Sequence, residues 1–104
     1  METVIATREF YLRDEAVVLM VYAPVAFGDE GDFRCTYKLD LPPRTLQGSG
    51  FGVDAIQAIE MALQHCHISM LALPEWKSGE LTWLVDADLG LPLPSGMKAS
   101  DFRK

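Results

Sequence analysis

From Gly48 to Ala58 the chain reads Gly-Ser-Gly-Phe-Gly-Val-Asp-Ala-Ile-Gln-Ala, and Ile56, Ile59, Leu63, Cys66 and Met70 follow at steps of three and four. That spacing draws one stripe along an α-helix, and an apolar stripe must be covered by another element. The helix is predicted from Val53 to Leu71, about 28 Å long, with Pro74 barring further extension. Turning about 100° per residue puts Ala55, Ile56, Ile59, Ala62, Leu63, Cys66 and Met70 on one arc. Asp54, Gln57, Glu60, Gln64 and His65 fall outside it, as a solvated face requires.

The cover is a sheet. Val4 to Leu12 alternates apolar and polar residues, Ala16 to Tyr22 is apolar on both faces, and Phe33, Cys35, Tyr37 and Leu39 alternate with Arg34, Thr36, Lys38 and Asp40. Three such strands in succession predict an antiparallel meander, with Ala16 to Tyr22 as its central strand. Pro24 to Asp32, bearing Gly28, Gly31 and three acids, is expected to be a mobile loop, and Pro42-Pro43 to end pairing before a glycine-bearing connector. Leu81 to Val85 is expected as a fourth strand. The fold class is therefore α+β: an antiparallel sheet of about four strands with one long amphipathic helix packed on one face.

A chain of 104 residues has room for one core, so residues 1–94 are read as one domain and 95–104 as a flexible tail punctuated by Gly96. No apolar run reaches the ~18 residues of a membrane span, and no basic segment followed by an apolar block opens the chain, so a cytoplasmic location and no membrane contact are expected. Cys35 and Cys66 then read as small buried hydrophobes. The net charge is −6; without Lys98, Arg103, Lys104 and Asp101, the first 97 residues keep 6 basic and 14 acidic groups, or −8. Such a body repels phosphate, so nucleic acid is not expected and a basic protein partner is.

Three motifs invite chemistry. Gly48-Ser49-Gly50-Phe51-Gly52 before a helix suggests an anion cradle, but no strand is expected to run into it and Asp54 would oppose the anion. It reads better as a hinge, with Asp54 complementing the helix dipole. Asp86-Ala87-Asp88 is a candidate magnesium pair, but too little chain follows to complete such a site, and turn formation is the expected role. His65-Cys66-His67 has ligand residue types, yet neighbouring helical side chains diverge and Met61, Gln64, Ser69 and Met70 at the right offsets are no zinc ligands. No catalytic residue, metal or cofactor is assigned.

Met61 and Ile68 lie seven residues apart and are expected on the side of the helix opposite the sheet, beside Gln57 and Gln64. These four are the candidate partner-binding residues. The run Gly52-Val53-Asp54-Ala55-Ile56-Gln57-Ala58, with Cys35-x-Tyr37 before it and Pro74-Glu75-x-Lys77-x-Gly79-x-Leu81-x-Trp83 after it, resembles a family of small bacterial proteins of unknown function. Its members share a Gly-Val-Asp-Ala-x-Gln-Ala helix start, and some are similar to immunity proteins of toxin systems. The resemblance implies the sheet-and-helix fold and a non-enzymatic protein-binding module of inhibitor or immunity type. A small ligand- or anion-binding protein or enzyme, using the Gly48–Gly52 segment or the Asp86 and Asp88 pair, is the alternative. One helix covers only one face of a sheet, so the second face of Ala16 to Tyr22 is expected to be covered by self-association into a homodimer.

Overall fold

In the computed structural model, which describes residues 2–103, β1 (Val4–Leu12) and β2 (Glu15–Tyr22) form an antiparallel hairpin with Phe10 opposite Val17 and Arg8 opposite Leu19. Beyond Ala23-Pro24 the arm resumes as β3 (Val25–Phe27), and β2 and β3 successively line one edge of β4 (Asp32–Leu41). The loop expected over Pro24–Asp32 thus shrinks to the Gly28–Gly31 turn, whose two glycines hold positive φ. β5 (Arg44–Gly52) takes the other edge of β4, from Arg44 opposite Leu41 to Gly52 opposite Phe33. Pro42-Pro43 therefore does not end pairing: the prolines occupy the loop of a hairpin, where no ladder N–H is needed, and the expected connector is a strand.

The second layer is α1 (Ala55–Leu71), which folds back over β5 and β4 and leads through the single turn α2 (Pro74–Lys77) to β6 (Leu81–Thr82) at the β1 edge. The result is α+β with an antiparallel sheet, as expected, but with six strands among the described residues. The fourth expected strand keeps only Leu81 and Thr82, because Leu84 and Val85 form the tip of a tight turn closed by mutual backbone hydrogen bonds between Trp83 and Asp86.

One face of the sheet supplies Phe10, Leu12, Val17, Leu19, Val21, Cys35, Tyr37, Leu39 and Leu41 to the core, and α1 answers with Ala58, Ala62, Cys66 and Met70. The expected stripe is rotated: Ile56 is 77% exposed, Ile59 and Leu63 are half-buried, and Ala58 is fully buried. Beyond Cys66 the buried side also takes in His67 and Leu71, because residues 89–93 cover that flank with Leu89, Leu91 and Leu93. Cys35 and Cys66 are buried free thiols, and burial pushes the Cys66 thiol up to about 12. The segment expected as a tail ends in a 3-10 turn, Ala99–Phe102, whose Phe102 packs against the core. The opposite face of the sheet, with Tyr11, Val18 and Phe51, has no second layer among the described residues. No helix there is long and apolar enough to cross a membrane.

Candidate functional site

Alternation places Leu46, Gly48, Gly50 and Gly52 of β5 on the face toward α1, and Thr45, Gln47, Ser49 and Phe51 on the open face. A methyl group built on Gly50 would sit 2.0 Å from the Ala62 nitrogen, one on Gly52 2.5 Å from the Ala58 nitrogen, and one on Gly48 2.8 Å from Cε1 of His65. The glycines are therefore the seat of the helix. Two strand residues advance about 6.7 Å and four helical residues about 6 Å, so each successive glycine meets the next turn of α1. The hinge and anion-cradle expectations assumed a loop; the segment is a strand whose glycine face is filled by helix backbone at Gly50 and Gly52 and by the His65 and Tyr37 side chains at Gly48.

The other motifs resolve as local structure. Asp54 is the N-cap of α1: its Oδ1 accepts the Gln57 N–H at 2.8 Å, while Gln57 Oε1 accepts the Val53 N–H. Asp86 and Asp88 each accept a backbone N–H two residues on, from Asp88 and Gly90, as turn-forming aspartates do. His65, Cys66 and His67 diverge, to Tyr37 Oη, Met70 Sδ and the Pro92 carbonyl respectively. Burial pushes the His67 imidazole below its ordinary value, and its Nε2 has no partner among the described residues. No group of three or more His, Cys, Asp or Glu side chains there is placed to hold a metal.

The four partner-binding candidates do lie together, though not opposite the sheet. Positions 57, 61 and 65 stand over Gly52, Gly50 and Gly48, so the side bearing Gln57, Met61, Gln64 and Ile68 is the flank of α1 that borders the outer edge of β5. Met61, Gln64 and Ile68 are half-buried there and Gln57 is exposed. The glycine seat explains the difference, because it tips the small residues Ala58 and Ala62 downward and swings the Met61 row to the side. The other flank is closed by residues 89–93, with Pro92 accepting from His67; along the β5 flank no further strand pairs among the described residues.

Sequence reasoning missed the companion to this flank, the outer edge of β5. β5 pairs only with β4 among the described residues, leaving the outward-pointing backbone donors and acceptors of its alternate residues unpaired along a nine-residue edge. The signal was the two-residue glycine period, which reads as strand alternation once glycine is counted as an inward residue. Charge singles out the same surface. Of 9 basic and 15 acidic residues in the chain, α1 holds only Glu60 and β5 only Arg44, which is bound to Glu75 of α2.

Against known families, the sequence matches a domain of unknown function, DUF6968, over residues 6–93. The chain belongs to the DUF6968 family. Comparison with curated proteins and with solved structures gives no match. The matched span of this DUF6968 domain includes β5 with its glycines, the whole of α1 and the covering residues 89–93, and it stops before the 3-10 turn.

Proposed function

We propose that this DUF6968 domain is a non-enzymatic protein-binding module whose contact surface is the β5 edge together with the α1 flank above it. The observation that carries the reading is an exposed strand edge and helix flank nearly free of charge in a chain of net charge −6. Solvated surfaces are rich in charge, and depletion of charge marks the core of contact surfaces. An unblunted strand edge supplies main-chain pairing, and Met61 and Ile68 supply apolar area.

An inhibitor or immunity-type role with a basic partner is the finer form of this proposal. It is supported by the net charge and by the helix start from Gly52 to Ala58. The acids for such a contact stand at the turn bearing Asp14-Glu15 and, near the Gly52 end of β5, at Asp29-Glu30-Asp32.

Affinity capture from cells of origin tests the proposal, run with the wild-type chain and with a Gln64→Lys/Ser49→Lys variant whose circular dichroism melt matches wild type. The expected result is a protein retained in stoichiometric amount by the wild type and lost by the variant. Equal retention by both, or a wild-type chain that retains neither another protein nor a further copy of itself, overturns the proposal.

A further inference from the structure

The two layers of the neutral surface share a centre. β5 runs from Arg44 to Gly52, so its midpoint is Gly48. The residue of α1 that stands over Gly48 is His65, whose Cε1 a methyl group on that glycine would approach to 2.8 Å. Met61 and Ile68, the two apolar residues of the flank, straddle that same point, one on each side. A two-fold axis through Gly48 therefore acts on both layers at once. It would set β5 antiparallel to its own copy, with Leu46 opposite Gly50, Gln47 opposite Ser49 and the two Gly48 residues at the axis. It would also lay the two α1 helices antiparallel, with Met61 of one copy against Ile68 of the other. Self-complementarity of this kind is what a two-fold interface requires.

We propose that the occupant of this surface is a second copy of the chain, joined edge to edge through β5 and side by side through α1. The inference rests on the reading of this surface as the contact surface and names its partner. The spacings agree. Paired β5 strands lie about 4.8 Å apart, and a helix resting on both β5 and β4 sits about half a strand spacing further in. The two helix axes are then about 10 Å apart, the distance at which helices pack.

The area suffices. Nine strand residues span about 30 Å, and an edge with a helix above it is about 20 Å deep, giving about 600 Å² per copy and about 1,200 Å² in all, within the range of stable interfaces. Charge favours the same partner. Two copies at −6 repel wherever acids meet, and this neutral strip lets them approach. Its one strand charge, Arg44, is already paired with Glu75 and falls opposite the uncharged Gly52 of the other copy, so no like charges face each other along the paired strands.

Sedimentation and light scattering of the full chain at tens of micromolar are expected to give twice the 11.6 kDa chain mass. Met61→Lys/Ile68→Lys places like charges across the axis, and Met61→Glu/Ile68→Glu does the same with opposite sign. Each alone is expected to dimerise at least about tenfold more weakly, and an equimolar mixture to recover the dimer, because only mixed pairs attract. Gln64→Lys and Gln64→Glu, which remove no apolar contact, serve as the matched pair should the double variants melt early.

A single-chain mass for the wild type overturns the inference, as does a dimer that every variant leaves intact, which would place self-association on the open sheet face. If the chain is monomeric yet captures another protein that Gln64→Lys/Ser49→Lys loses, self-pairing falls and the contact surface stands. A monomer that captures nothing removes both.

Discussion

Gly50 carries more of this fold than any large side chain near it. Its missing β-carbon lets the Ala62 nitrogen approach to a place where a methyl group would lie at 2.0 Å, and the obstacle is helix backbone, which cannot rotate away. Gly50→Ala is expected to cost about 3 kcal/mol or more, the scale of a severe overpacking, while Ser49→Ala on the open face should stay within about 0.5 kcal/mol. Urea melts of the two variants check this, and equal midpoints would mean that α1 does not sit on β5. His67 sets a pH dependence. The buried imidazole binds its proton at lower pH than the unfolded chain does, so its contribution is present above the ordinary histidine value and is lost as pH falls below it. The melting temperature is expected to fall between about pH 7 and pH 5, and to fall less in His67→Gln, which keeps a donor for the Pro92 carbonyl. Identical profiles for the two would place the titration elsewhere.

At the scale of elements, legibility followed side-chain alternation. β1 and β4 show it in large residues, so the inward side of Phe10 and Tyr37 is legible from the chain alone, whereas β2, apolar on both faces, does not announce that Leu19 points inward. β5 hides it, because its inward residues are glycines and the pattern passes for a loop. The same glycines displaced the helix stripe, since hydrophobicity weights Ile56 and Leu63 while the seat selects Ala58 and Ala62. The proposed surface is half legible in the chain: helical spacing alone groups Gln57, Met61, Gln64 and Ile68, whereas the strand edge beside them is hidden by its glycines. The Leu84-Val85 turn departs from every composition rule. Both residues have positive φ, 52° and 58°, and are 71% and 98% exposed, where Asn-Gly is the ordinary choice. Leu84→Asn/Val85→Gly is expected to raise stability by about 1 to 2 kcal/mol in a thermal melt, and a loss would mean that the turn has a different backbone. At the start of α1, Asp54→Ala removes the cap and is expected to cost about 1 kcal/mol.

Across the whole molecule, the flanks of α1 are treated unequally. Residues 89–93 close the side toward β1, tied by Arg8 to the carbonyls of Leu89 and Gly90 and by His67 to that of Pro92, and the chain then runs to the 3-10 turn near Trp76. There Arg103 stacks 4.3 Å from the Trp76 ring and donates to its carbonyl, while Phe102 packs against the core. These contacts add to a body that the family match already spans to Leu93. Removing residues 95–104 takes away one half-buried phenyl ring, a half-buried methyl and one hydrogen bond from a charged donor, together about 2 kcal/mol. For a domain of this size that is a drop of about 10 °C in melting temperature, with unfolding still a single transition. A shortened chain that melts with the full one would show the segment undocked, and one that loses cooperativity would make it part of the core. Because this segment packs on the flank away from β5, the shortened chain is also expected to keep whatever mass the full chain shows in solution, which separates the stability of the fold from the neutral seam on its other side.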